Sequence, residues 1–282
     1  MTMTRSRISF GRLLSYIALI GGSLFMLMPF YWLISTSLKT LKNIYVYPVQ
    51  WFPDPIRWKN YTELFAQVPV FLYTRNTLII TVFNVIGTVF SASLAGYSFA
   101  RLRFRGRDLV FSILLATVMV PFAVTMIPLY VMFSKLGWVG TFLPLIVPPF
   151  LGAPVNTFML RQFFRTIPMD LEDAARIDGA SRPRIFLQII LPLAKPALTV
   201  TTIQSVLWGW NGFLQPLIYL KKNKLWTLAL GINSLGMFMP GVPDTTHFQM
   251  ALATIMVLPP VILYFMAQRA FVRGIVLTGL KG

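Results

Sequence analysis

Residues 161–198 read RQFFRTIPMDLEDAARIDGASRPRIFLQIILPLAKPAL. This stretch holds Asp170, Glu172, Asp173 and Asp178, four of the eight acidic residues in a chain of 282. On either side lies an apolar run, 141–160 before it and 197–220 after it, each near the length of about 20 residues that crosses a bilayer as a helix. A polar island of about thirty residues between two such runs is long for an ordinary connection. It reads as a structured element outside the bilayer, spanning 161–195.

Its local chemistry is helical. Asp170 is placed to cap a helix, and Asp173 sits at the capping-box spacing. Acids in the first turn also suit the helix dipole. Leu171, Ala174, Ala175 and Asp178 share one side by their i, i+3, i+4, i+7 spacing. Gly179 is placed to end the helix with positive φ. A second short helix follows from about Pro183, with Ile185, Phe186, Ile189 and Ile190 apolar, and Pro192 is expected to stop it. The small Ala174 and Ala175 permit close approach of another protein's surface, and the flanking charges fix its register.

Four further apolar runs lie outward from this centre, at 13–36, 76–100, 109–133 and 250–267. Hydrophobic residues make up 56% of the chain and charged residues only 12%, with mean hydropathy +0.69. A soluble domain carries about a quarter charged residues. The deficit suits lipid as the solvent, where charge is costly. The expected fold is all-α: a single membrane domain over 1–282 with six transmembrane helices. The first run follows Arg5, Arg7 and Arg12, as a signal peptide does, but it is longer than a signal core and lacks an A-x-A cleavage pattern. It reads as a retained helix.

The net charge of +17 answers a question of topology rather than of nucleic acid. With the N-terminus inside, sixteen Lys and Arg residues fall on the inner side and nine on the outer. The bias places both termini in the cytosol. Its sharpest part is the RLRFRGR turn at Arg101–Arg107. Prolines interrupt several spans, at Pro121, Pro128, Pro144, Pro148, Pro149, Pro154, Pro259 and Pro260. Each removes a backbone donor, which suits helices packed around a pathway but is also ordinary in membrane helices. The segment from Ser37 to Thr74 is long and aromatic, with Trp51, Phe52, Trp58, Tyr61 and Phe65, as expected of a membrane–water interface.

Several function classes fall away. There is no Cys and one His, His247, so no usual metal site is expected, and His247 beside Asp244 reads as structural or interfacial. No G-x-x-x-x-G-K-[ST] run occurs, so the chain is not expected to bind ATP itself. No paired acid and base or nucleophile with its base stands out, as an enzyme would need. None of the eight acids lies in mid-span, which argues against a proton-coupled carrier. An ion-coupled carrier using backbone carbonyls stays open as the alternative. In the fifth span the polar side chains are Gln204, Trp210, Asn211 and Gln215. Aromatic faces and convergent amides suit a sugar, but helix–helix hydrogen bonding accounts for the same residues and is the simpler reading.

The spacing Asp173-Ala174-Ala175, then Gly179, then Ile189-x-Leu191-Pro192 resembles the EAA loop of binding-protein-dependent ABC importer permeases, with Asp173 where Glu is usual. Trp51-Phe52-Pro53 with Asn60-Tyr61 and Leu64-Phe65 looks like the first outer loop of the carbohydrate-uptake branch. Trp208-Gly209-Trp210-Asn211-Gly212-Phe213 resembles that branch's fifth span, with Gly212 where Asp commonly stands. Gln268 to Gly274 is similar to the tail of the six-helix subunit of maltose transporters, and glycerol-3-phosphate permeases share these features. The resemblance implies a non-catalytic inner-membrane subunit that pairs with a second permease around one pathway for a sugar or sugar-like solute. It implies two ATPase subunits, which carry the ATP and Mg, and an extracytoplasmic solute-binding protein. Asp170, Leu171, Glu172, Asp173, Ala174, Ala175, Asp178, Gly179, Ile189, Leu191 and Pro192 would form the ATPase-coupling element. The tail with Arg273, Gly274 and Lys281 would reach the ATPase interface.

Overall fold

The computed structural model describes residues 10–236 and 244–279, with side chains described as far as 268. Among the described residues there is no β-strand. In chain order the helices are α1 (Phe10–Ser37), α2 (Leu41–Ile44), α3 (Lys59–Gln67), α4 (Val70–Arg101), α5 (Arg107–Ala116) and α6 (Phe122–Lys135). Then come α7 (Leu143–Ile146), α8 (Pro148–Leu151), α9 (Pro154–Thr166), α10 (Asp170–Ile177), α11 (Arg182–Ile185) and α12 (Leu191–Leu193). The last are α13 (Lys195–Asn211), α14 (Leu214–Tyr219), α15 (Leu228–Leu235) and α16 (Thr246–Gly279).

Four stretches are long and apolar enough to cross a membrane: Phe10–Ser37, Val70–Arg101, Leu143–Thr166 and Thr246–Gln268. They overlap the runs read at 13–36, 76–100, 141–160 and 250–267. Two more pass only as bent pairs. Arg107–Met119 and Phe122–Lys135 meet at 100°, and Arg182–Leu193 and Lys195–Asn211 at 79°. The first bend falls inside the run expected as one span at 109–133. Its cause is Pro121, whose ring pushes the preceding residue out of the helical region. Val120 is accordingly extended, at φ −80° and ψ 113°, and α6 starts afresh after Pro121. The run expected at 197–220 is interrupted as well, since α13 ends at Asn211 and α14 resumes at Leu214.

The chain, read in sequence as one domain, divides into two compact units: Met1–Val68 with Ile232–Met256, and Pro69–Gly231 with Val257–Gly282. The reason lies partly in α1. Its 28 residues bury only Ser35, Thr36 and Ser37, so an apolar helix of full membrane length adds little to packing within the chain.

In the first unit the aromatic segment after α1 folds back on that helix's last turns. Ser35 and Tyr31 donate to the carbonyl of Trp51 at 2.6 and 2.9 Å, and Trp32 meets Trp51 edge to face at 5.8 Å. Asn60, fully buried, donates to the carbonyls of Ser37 and Lys39 at 2.8 Å each. Lys39 is also buried. Its ammonium donates to the Gln50 carbonyl and lies 4.1 Å from the Trp32 ring centroid, and burial lowers its pKa below that of an exposed lysine. Much of the aromatic surface stays open, with Phe52 and Trp58 exposed, as suits side chains at a membrane–water interface.

In the second unit α4 is the central post, with α9, α13, α8 and α7 packed on it. Small residues set the approach, as in other membrane helix pairs. A Cβ on Gly96 would stand 3.2 Å from the backbone nitrogen of Arg161 in α9, and one on Gly209 of α13 would stand 2.9 Å from Thr81 Cα. Toward the start of α4, Asn76 donates to the carbonyls of Lys224 and Trp226 at 2.9 Å each, stapling that segment to the post. Beside it Ile80, Phe133, Leu145, Tyr219, Leu220 and Leu230 make one buried cluster.

Candidate functional site

At the other end of α4, the segment 161–195 packs on the post. Ala92, Tyr97, Leu160, Phe164, Ile167, Ala175, Ile185, Phe186, Ile190, Ala194 and Ala197 form a single buried cluster. Tyr97 is its hub, with ring centroids 5.0 Å from Phe186 and 6.3 Å from Phe164.

The helix α10 forms where the sequence places it but starts differently. Asp170 is already its first helical residue, and no side chain caps it. The turn at Met169 supplies the acceptor instead: the Met169 carbonyl takes the N–H groups of Glu172 at 2.9 Å and Asp173 at 3.1 Å. Asp173 pairs with Arg176, Oδ1 to Nη1 at 3.0 Å. The C-terminal end follows the sequence. Gly179 has φ +76°, its N–H donates to Arg176 O at 3.0 Å, and the Ala180 N–H donates to Ala175 O at 2.9 Å. That is the Schellman pattern. The second short helix runs past Pro192, because Pro192 lies in the first turn of α12, where a missing N–H costs nothing. A π-turn over Phe186–Ile190 precedes it, and the chain bends at Ala194.

The two faces of α10 differ sharply. Glu172 and Ala175 point inward and are buried, whereas Asp170, Leu171, Asp173, Ala174, Ile177, Asp178 and Gly179 are exposed. Ile177 is 88% exposed, an apolar side chain offered outward. The sequence grouped Ala175 with the outward side and counted Glu172 only as one of the acids of the coupling element. In the structure the methyl of Ala175 joins the buried cluster. Glu172 takes part in a network. Its Oε1 is 3.0 Å from Arg101 Nε, a charge contact without hydrogen-bond alignment. Its Oε2 is 3.5 Å from Arg176 Nη2 and accepts from the Tyr97 hydroxyl at 3.3 Å. Ile189 and Leu191 are half-buried, and Pro192 is exposed.

Arg101, the last residue of α4, is the residue that sequence reasoning missed as a functional group. It counted there only as one charge of the RLRFRGR turn. Its side chain is 4% exposed. Nη2 donates to the carbonyls of Phe164, at 2.6 Å, and Ile167, and Nη1 contacts the Met169 sulfur. Those carbonyls lie at the C-terminal end of α9, Phe164 in its last turn and Ile167 just beyond it, where a cation is favoured. One guanidinium thus joins the end of α4, the end of α9 and the carboxylate of α10. Arg161 makes a lighter second tie: Nε donates to Phe99 O at 3.3 Å, and the guanidinium lies 4.0 Å from the Phe111 ring centroid.

On α13, Gln204 and Asn211 are exposed and Gln215, in α14, is half-buried. Trp210 is buried in the chain's own packing, at 4% exposure, while Trp208 is 70% exposed. Gln204 Oε1 accepts from Asn156 Nδ2 of α9 at 3.4 Å, and Asn211 Nδ2 donates to Leu207 O at 3.0 Å. Among the described residues no group of His, Cys, Asp and Glu is placed to hold a metal ion. The side chains of Arg273 and Gly274 and the whole of Lys281 lie outside the described residues.

Among the described residues the fold is that of a multi-pass membrane protein, all-helical, with a polar elbow anchored between spans. The chain belongs to the family described as binding-protein-dependent transport system inner membrane component, whose model matches residues 87–277. It is 33% identical to the arabinooligosaccharides transport system permease protein AraQ of Bacillus subtilis (strain 168), over 92% of each chain. It is 32% identical to the sulfoquinovosyl glycerol transport system permease protein SmoH of Agrobacterium fabrum, over 91% of this chain and 89% of that one. It is 30% identical to the sn-glycerol-3-phosphate transport system permease protein UgpE of Yersinia pestis bv. Antiqua, over 93% and 94%. A solved bacterial ABC transporter involved in import of the acidic polysaccharide alginate has a chain of the same fold, with a TM-score of 0.80 and 24% identity over 95% of this chain and 99% of that one.

Proposed function

We propose that the chain is a permease subunit of an ATP-driven importer for a sugar or sugar-like solute. It lines the pathway together with a second permease and holds no cofactor of its own. ATP and Mg²⁺ act in two partner ATPase subunits, an extracytoplasmic binding protein delivers the solute, and both termini are cytosolic. Each ATPase receives a coupling helix, here Asp170–Gly179, with Leu171, Ala174, Ile177 and Asp178 as the face it takes up. Ile189, Leu191 and Pro192 complete the elbow behind that helix, and the tail with Arg273, Gly274 and Lys281 reaches toward the ATPase interface. Gln204, Asn211 and Gln215 belong to the pathway wall, and Trp210 supports that wall from within.

The observation that carries the reading is the two-sided α10. One face is locked by a buried ion pair to the ends of α4 and α9, while the other offers Ile177 and small residues outward. A helix held so can pass a push from a cytosolic partner to the spans without bending first. The test is co-purification from solubilised membranes, followed by ATPase assays of the reconstituted complex. A second permease and an ATPase are expected to co-purify. Gly179→Pro and Asp173→Lys should abolish stimulation of ATP hydrolysis by the loaded binding protein while the chain still inserts. Normal stimulation in both variants would sink the coupling assignment, and recovery of this chain alone as a transporting homo-oligomer would overturn the importer reading.

A further inference from the structure

We propose that the solute met by this chain is an uncharged saccharide, held on a strip formed by Asn156, Gln204, Trp208 and Asn211. This inference rests on the importer reading above and names its substrate class. Residues 76–100, 109–134, 136–160 and 196–220 contain no Asp, Glu, Lys, Arg or His. Charged residues such as Arg75, Arg101, Asp108, Lys135, Arg161 and Lys195 stand toward the ends of the second unit's spans, and the stretches between them present only uncharged groups to a solute.

The strip is a single face. Gln204, Trp208 and Asn211 recur at i, i+4 and i+7 on α13, and all three are exposed. Thr201, Ser205 and Gly209 are buried, with Gly209 turned to Thr81 of α4. Asn156 joins from α9 through its contact with Gln204 at 3.4 Å. The depth is that of the bilayer interior. Gln204 lies nine residues along α13 from Lys195, about 14 Å at 1.5 Å per residue, against a hydrocarbon core about 30 Å thick. An amide directed at hydrocarbon there is strongly disfavoured. About 10 Å further along, still within the span, α13 breaks off at Asn211, and its last carbonyls lose their helical partners. Irregular backbone at that depth is tolerated where it lines a cavity.

The chemistry then selects the guest. Amide groups of either polarity meet hydroxyls, which both donate and accept, and the flat indole of Trp208 offers an apolar face to a pyranose or furanose ring. A phosphate, sulfonate or uronate would lose its hydration on this wall without gaining a cation. The relatives include transporters named for neutral and for anionic solutes, so the strip makes a choice that kinship leaves open.

The experiment is calorimetric binding to the purified complex of this chain with its co-purifying subunits, without binding protein. The neutral probes are arabinotriose, maltotriose and raffinose, and the anionic probes are sn-glycerol 3-phosphate and digalacturonate. At least one neutral probe is expected to bind at least ten-fold more tightly than either anion. Trp208→Ala should weaken that binding about ten-fold, whereas Trp208→Phe keeps it within about three-fold. Gln204→Leu should weaken it severalfold. An anion that binds as well as every neutral probe, no neutral probe binding at all, or a Trp208→Ala complex that binds like the wild type would each overturn the inference. A wild-type complex that hydrolyses ATP when stimulated by loaded binding protein keeps the importer reading intact in any of these cases. A chain that co-purifies with no ATPase removes that reading itself.

Discussion

The elbow at 161–195 and the open face of α13 are both polar regions in an apolar chain, and they handle polarity in opposite ways. At the elbow the polar groups satisfy one another: Glu172 and Arg101 are nearly or fully buried, and the guanidinium also serves two carbonyls of the α9 end. On α13 the amides of Gln204 and Asn211 are exposed beside Trp208, each with a single hydrogen bond inside the chain, to Asn156 and to the Leu207 carbonyl. Polarity closed on itself fixes geometry, which suits a part that transmits force. Polarity left exposed at membrane depth, with hydrogen-bonding capacity to spare, suits a wall that a polar guest comes to meet.

The largest effect should come from breaking the closed region. Arg101→Leu removes the buried partner of Glu172 and leaves its carboxylate only Arg176 and the Tyr97 hydroxyl, a change of the kind that costs about 3–5 kcal/mol. Loss of the assembled complex, or a sharp fall in its melting temperature, should follow. The pair Arg101→Leu with Glu172→Leu should recover most of that loss, because two apolar side chains replace a buried pair at little cost. A double variant no better than the single one would show that Arg101 acts through the α9 carbonyls alone. Next in size is Gly209→Val on the packed side of α13. The added side chain meets Thr81 within van der Waals distance, and separating the helices costs about 1–3 kcal/mol, measurable as lower thermal stability of the purified chain.

On the open face the same kind of truncation should behave differently. Asn211→Ala should leave assembly and melting temperature unchanged and lower the rate of solute uptake in proteoliposomes. Unchanged uptake would remove Asn211 from the pathway wall. The smallest effect is expected at Asp244, which belongs to neither region. Its Oδ1 accepts from the Thr246 N–H at 2.8 Å and from the Thr246 hydroxyl at 2.7 Å. The hydroxyl bond above all holds its carboxyl below the ordinary carboxylate value. A carboxyl with a lowered folded-state pKa adds stability above about pH 4, and that contribution disappears as acidification passes the lowered value. Asp244→Asn should therefore lower the melting temperature slightly at neutral pH, with the difference from wild type vanishing in acid.

What was legible in the sequence divides along the same line. The apolar runs, the RLRFRGR turn and the Gly179 stop are local signals; the turn, the stop and four of the six runs occur in the structure as read, while the runs at 109–133 and 197–220 are broken. The contact between Arg101 and Glu172 joins positions 71 apart, and a sequence shows two charges without showing that they meet. The choice of Trp208 over Trp210 for the open face depends on which side of α13 the α4 post occupies, which helical spacing alone does not give. The start of α10 differed for another reason. Asp170 has a capping side chain, but the backbone turn at Met169 supplies the acceptor first. Pro121 announced a kink, while its angle of 100° comes from the extended Val120 before it.

The most direct test of the two-sided coupling helix is cysteine crosslinking in the assembled complex. The chain has no native Cys, so single introduced residues report cleanly. Ile177→Cys on the open side of α10 should crosslink to an ATPase subunit carrying cysteines in its surface groove, with an efficiency that changes when ATP is added. Ile185→Cys, in the buried cluster, should not crosslink. Equal crosslinking from both positions, or none from Ile177→Cys in a complex that still transports, would contradict the account.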